Sequence, residues 1–194
     1  MSVLVVGLLL FLGIHSLSIV APAQRDAWAS RLGEGAWKGL YSVVSAIGLG
    51  LIVWGYSLAR HDPVLLYSPP VAMRHLAALL MLPVFVLLMS TYLPGRIQRA
   101  ARHPMLVATK LWALAHLLAN GTLADVCLFG GFLVWAVFDR VSVGRRERAG
   151  GLRPVPALPR MGINDGLALL AGMGLYVLFV MWAHAWLFGV RPMG

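Results

Sequence analysis

The chain has 194 residues, of which 60% are hydrophobic and only 12% charged, and it carries a formal net charge of +9. A soluble domain carries about 25% charged residues, so the composition excludes a surface that faces water all round and makes lipid the expected solvent. The single cysteine, Cys127, excludes an internal disulfide, Cys-x-x-Cys metal sites and covalent haem attachment.

Six apolar spans are predicted, at about 2–20, 38–59, 72–93, 105–119, 122–138 and 166–189. Four approach the ~20 residues needed to cross the hydrocarbon. The fourth and fifth are shorter and are joined by the polar turn Ala119-Asn120-Gly121-Thr122. The expected fold is an all-α, polytopic membrane helix bundle of one domain over residues 1–194, its fourth and fifth helices forming a short hairpin. Ala21-Pro22-Ala23 has the look of a signal-peptidase site, but no side chain before Arg25 is charged. A secretory signal needs a basic n-region, so residues 2–20 are expected to be a retained helix. The segment 139–165 is rich in Arg, Gly and Pro and reads as an irregular loop beside anionic headgroups.

Loop charge gives an orientation. Twelve basic residues flank the odd-numbered loops: Arg25, Arg31, Lys38, Arg96, Arg99, Arg102, Arg140, Arg145, Arg146, Arg148, Arg153 and Arg160. The other side holds three, Arg60, Arg74 and Arg191, and Lys110 lies inside the fourth span. Cytoplasmic loops collect Lys and Arg, so both termini are expected on the periplasmic side of a bacterial inner membrane. The basic balance is then an orientation signal and requires no nucleic acid.

Ionisable groups inside a membrane are costly and default to a functional reading. His15 lies in the first span, His75 near the start of the third, His116 in the fourth and His184 late in the sixth; His61 and His103 fall in loops. At helical spacing, Gly7, Phe11, His15 and Ser18 share one stripe, and Thr109, Ala113, His116 and Asn120 another, with Trp112 beside it. Gly7 permits close approach of a helix or of a flat ligand. Gly172, Tyr176, Val180 and His184 make a less polar stripe. Neutral imidazole is a common ligand for haem iron; equally, a histidine on a small-residue face hydrogen-bonds across helices. Gly48, Gly50, Gly130 and Gly131 read as packing glycines. No GxxxxGK[ST] run and no Ser/His/Asp set is present, and only Asp125 among the carboxylates begins within a span. That scarcity disfavours a proton-coupled transporter.

The run Arg102-His103-Pro104-Met105-Leu106, followed by Lys110-Leu111-Trp112-Ala113-Leu114-Ala115-His116-Leu117-Leu118-Ala119-Asn120-Gly121, resembles the signature of the NnrU family. Phe11-Leu12-Gly13-Ile14-His15-Ser16, Tyr41-Ser42, Gly55-Tyr56, Pro69-Pro70 and the ending His184 to Val190 fit the same family, so the resemblance covers nearly the whole chain. It implies a membrane protein associated with denitrification, in particular with nitrite and nitric oxide. A more distant resemblance to plant zeta-carotene isomerase implies haem b as cofactor. Its axial ligands match His15 and His116, with His75 and His184 in reserve and Thr109, Trp112 and Asn120 around His116. That relative carries a cysteine three residues before its second histidine, where this chain has Ala113. The resemblance thus implies haem binding without the ligand exchange that such a cysteine supports. Three functions follow as expectations. One is a haem protein supporting nitrogen-oxide metabolism beside respiratory or denitrification membrane proteins. Another is a haem-dependent isomerase or redox enzyme acting on a lipophilic, carotenoid-like small molecule. The third is a scaffold without cofactor.

Overall fold

The computed structural model describes residues 1–150 and 158–192. Among these the chain is helical, with no strand and one isolated bridge between Leu65 and Thr122. Its helices are α1 (Ser2–Val20), α2 (Pro22–Leu32), α3 (Glu34–Ala59), α4 (Ala72–Tyr92), α5 (Arg96–Ala101), α6 (Pro104–Ala119), α7 (Leu123–Arg148) and α8 (Asn164–Phe188). Five of them, α1, α3, α4, α7 and α8, are long and apolar enough to cross a membrane. Helix α6, at 16 residues, is apolar but shorter. Large apolar side chains point outward along these helices, Leu9, Leu170 and Met181 being among the most exposed. A chain that presents such groups all round is matched to lipid rather than water.

Two elements differ from the sequence reading. The first connection is a helix, α2, because Pro22 stands at its first position and Gly33, with φ of 81°, ends it. Proline at the start and a left-handed glycine at the end are helix punctuation. Helix α7 is not short: it runs 26 residues to Arg148, into a segment read as irregular. Its end, Arg145-Arg146-Glu147-Arg148, is a run of long charged side chains that can snorkel where a helix emerges into headgroups. Only α6 remains short. The reading of 151–157 as irregular lies outside the described residues.

Two compact units are present. The first comprises residues 1–67 and 122–146, with α1 packed along α3. That packing is a backbone-to-backbone contact. A Cβ on Gly7 would fall 2.6 Å from the Ile52 nitrogen, and one on Gly48 2.8 Å from the Phe11 nitrogen; Gly55 meets the Leu4 backbone. Small residues at such crossings are the usual basis of helix association in lipid, where burying apolar surface gives no net drive. So Gly7 serves a helix and not a flat ligand. Gly48 is a packing glycine as expected, whereas Gly50 faces open space.

Helix α7 starts with a capping box. The Thr122 hydroxyl accepts from the Asp125 N–H at 3.2 Å, and the Asp125 carboxylate accepts from the Thr122 N–H at 2.9 Å. The same carboxylate accepts the Tyr56 hydroxyl of α3 at 2.5 Å and is only 5% exposed. A π turn, Val126–Gly130, follows and holds the half-buried Cys127.

The second unit comprises residues 68–121 and 147–194, with α4 packed against α6 and α8. A Cβ on Gly172 would stand 2.5 Å from the Val86 Cα, so α8 too approaches α4 backbone to backbone. The Tyr176 hydroxyl donates to the Ala78 carbonyl at 3.0 Å. Helix α5 is capped from a distance in sequence: the Asp165 carboxylate accepts from the N–H groups of Arg96 (2.9 Å) and Ile97 (3.0 Å). These are first-turn donors with no partner inside the helix. The buried Asn164 side chain donates to the carbonyls of Pro94 and Pro159. Asp165→Ala is therefore expected to speed hydrogen exchange at the Arg96 and Ile97 amides while leaving α1 amides unchanged. Unaltered protection of residues 96–101 by mass spectrometry counts against this cap.

Candidate functional site

His15 sits five residues before the end of α1, in an aromatic niche of the first unit. It stacks on Phe11 of its own helix at 4.2 Å between ring centroids. Tyr41 of α3 lies 5.1 Å away and Trp135 of α7 meets it edge-on at 6.0 Å. Phe132 closes on Phe11 at 5.7 Å. Three- and four-residue spacing builds this niche: Phe11 and His15 share a face of α1, and Phe132 and Trp135 share a face of α7.

The His15 Nδ1–H donates to the Phe11 carbonyl at 2.6 Å. A carbonyl only accepts, so the proton resides on Nδ1, and Nε2 of the neutral ring keeps its lone pair. His116, in the second unit, uses the same device: its Nδ1–H donates to the Trp112 carbonyl at 2.8 Å, and the two rings lie 5.4 Å apart.

The residues expected around His116 divide. Asn120 donates from its amide to the His116 carbonyl at 2.9 Å, and Trp112 supplies the carbonyl that orients the ring. Thr109 bonds the Met105 carbonyl of its own helix instead. Ala113 is fully buried.

The two reserve histidines have other surroundings. His75 is exposed in the second turn of α4. His184 donates from Nδ1 to the Val190 carbonyl at 2.7 Å and packs against Phe179 and Phe188, which ties the C-terminal end of α8 around Gly189. The stripe from Gly172 to His184 is interrupted, because a second π turn, Phe179–Ala183, shifts the register inside it. His61 donates to the Ser57 carbonyl. His103, at the position before α6, stands 2.8 Å from a Glu147 carboxylate oxygen. It follows Arg102, whose φ of 57° accompanies a tight His103-to-Ala101 bond of 2.6 Å.

Trp135, Asp139 and Arg146 were not singled out by the sequence. Asp139 lies one turn after Trp135 and accepts from the Arg146 Nη2 at 3.2 Å. A three- and four-residue stripe of Phe132, Trp135 and Asp139 was legible in principle, but without the α1 partner it looks like any apolar helix face.

The fold defines a multi-pass helical membrane protein whose first unit holds an oriented histidine in an aromatic niche. The chain belongs to the NnrU family, whose model matches residues 3–192. No curated protein and no solved structure matches it.

Proposed function

We propose that this chain binds haem b in the bacterial inner membrane and supports nitrite and nitric oxide metabolism, with His15 and His116 as axial ligands. One observation carries the reading. His15 is held by its Nδ1–H on the Phe11 carbonyl, which leaves Nε2 as the nitrogen with a free lone pair, and its ring lies among the flat rings of Phe11, Tyr41 and Trp135. Metal-ligating histidines are oriented in this way by a hydrogen bond from the other ring nitrogen. The Trp112 carbonyl orients His116 by the same bond.

When bound, haem supplies one-electron chemistry. Held by both His15 and His116, the iron would be suited to electron transfer, sensing or assembly support rather than open catalysis. Ala113 offers no ligand atom to exchange for His116, so the isomerase reading lacks its exchange group. Residues 102–121 and the other family-like runs support the denitrification role, and the twelve-to-three division of basic residues supports periplasmic termini.

The test is spectroscopic. Protein purified from haem-sufficient cells is expected to show a stoichiometric Soret band that shifts on reduction. His15→Ala and His116→Ala are each expected to shift or abolish it, while His75→Ala and His184→Ala leave it unchanged. Absence of the band in the unmodified protein overturns the proposal. Loss confined to the His75 or His184 variant moves the ligands there.

A further inference from the structure

Three side-chain polar atoms among the described residues are buried without a hydrogen-bond partner: Ser45 Oγ, Trp135 Nε1 and Arg146 Nε. All three belong to the first unit and to the helices that flank His15. Ser45 lies one turn after Tyr41 on α3. Trp135 touches the His15 ring edge-on. Arg146 lies on the α7 face that carries Trp135, Asp139 and Ser142, all three- and four-residue steps apart. Buried donors are nearly always satisfied, so the orphaned Trp135 Nε1 and Arg146 Nε on one face of α7 ask for a partner outside the chain.

Arg146 shows what that partner is. A guanidinium offers a side-on fork of two parallel N–H groups, Nε and Nη2, that matches a carboxylate. Here Nη2 is taken by Asp139 and Nε is buried and unpaired. Side chains on a helix lean towards its N-terminus, so the Arg146 head reaches back to the level of Asp139. That level is one turn, about 6 Å, beyond Trp135 along the helix. The site thus has an apolar, ring-lined part at Phe11, His15, Tyr41 and Trp135. It also has a cationic donor one turn further towards the Arg-rich end. An amphiphile with a flat apolar body and a carboxylate at its edge fits both.

Resting on the haem reading above, we propose that Arg146 receives a carboxylate of the haem seated on His15 and fixes the direction in which the macrocycle enters the niche. Arg146 is a positioning residue: it does not touch iron. The Nε–H donates to the carboxylate, and Asp139 stays on Nη2 and holds the guanidinium in place.

Full-length protein in a non-ionic detergent, where no lipid phosphate competes for Arg146, is loaded with haem b or with haem b dimethyl ester, which has the same ring and no carboxylate. Loss of each to excess apomyoglobin is followed at the Soret band. The unmodified chain is expected to retain haem b about tenfold longer than the ester, the order of one charge-assisted hydrogen bond. Arg146→Gln is expected to lose haem b and ester at equal rates, and Arg146→Lys to recover part of the difference. Because Arg146→Gln leaves Asp139 without its ion pair, the Asp139→Asn/Arg146→Gln variant is measured too and is expected to behave like Arg146→Gln. Wild-type discrimination retained in both glutamine variants overturns the carboxylate contact and leaves the haem reading standing. Equal retention of haem and ester by the unmodified chain does the same. No binding of either porphyrin by the unmodified chain overturns the haem reading, and this inference with it.

Discussion

Gly48→Ala is expected to destabilise the protein by about 1–3 kcal/mol, the range for forcing an extra methyl into a filled site. Gly50→Ala, two residues along the same helix, is expected to stabilise it by up to about 1 kcal/mol through helix propensity. The opposite signs follow from what each new methyl meets. At Gly48 it lies 2.8 Å from the Phe11 nitrogen and 3.0 Å from the Phe11 Cα and Cβ. Most of those atoms are backbone, so no rotamer change relieves them, and α1 must move off α3. At Gly50 nothing stands within 4 Å. The first displacement also reaches the site, because Phe11 carries the carbonyl that orients His15. Gly48→Ala should therefore broaden or shift any Soret band, and Gly50→Ala should not. Thermal unfolding in detergent micelles and the absorption spectrum decide it. Equal melting temperatures for the two variants would show that α1 and α3 are not held by this contact.

The helical membrane character, and with it the positions of α1, α3, α4 and α6 to within a few residues, was legible because long apolar runs have no other stable form in lipid. The polar start and stop chemistry was harder. Helix α2 was missed because its Arg, Asp and Gln side chains mask a Pro22-to-Gly33 frame that is helical by its ends alone. The two π turns could not be seen, since one extra backbone residue in a turn leaves no composition signal; the His184 stripe failed for that reason. His15 was legible as a costly polar group in a span, and its stripe partner Phe11 proved to be both its stacking surface and its hydrogen-bond acceptor. Trp135, Asp139 and Arg146 were not, because nothing local marks which helix face meets α1. Asp125 was visible as the one carboxylate beginning within a span, but not the tyrosine 69 residues earlier that it binds.

That Asp125 pairing leads to the second large effect. Asp125→Ala is expected to cost about 3–5 kcal/mol, the range for removing one partner of a buried charged network. Its carboxylate accepts from three donors: the Tyr56 hydroxyl at 2.5 Å, the Thr122 hydroxyl at 2.6 Å and the Thr122 N–H at 2.9 Å. Truncation orphans the Tyr56 hydroxyl and the Thr122 N–H together, and each unmet buried donor costs about 1–3 kcal/mol. Asp125→Asn should lose less, because its amide oxygen still accepts from Thr122 while its NH2 donates to a Tyr56 hydroxyl turned to accept. Tyr56→Phe removes a single bond to the carboxyl and should cost about 1.5–3 kcal/mol. A double-mutant cycle across Tyr56→Phe and Asp125→Ala isolates the shared term. If the tie between α3 and the start of α7 is real, the double variant is no worse than Asp125→Ala alone. Additive losses would mean that the two side chains stabilise the unit independently, and that Asp125 acts only as the cap of its own helix.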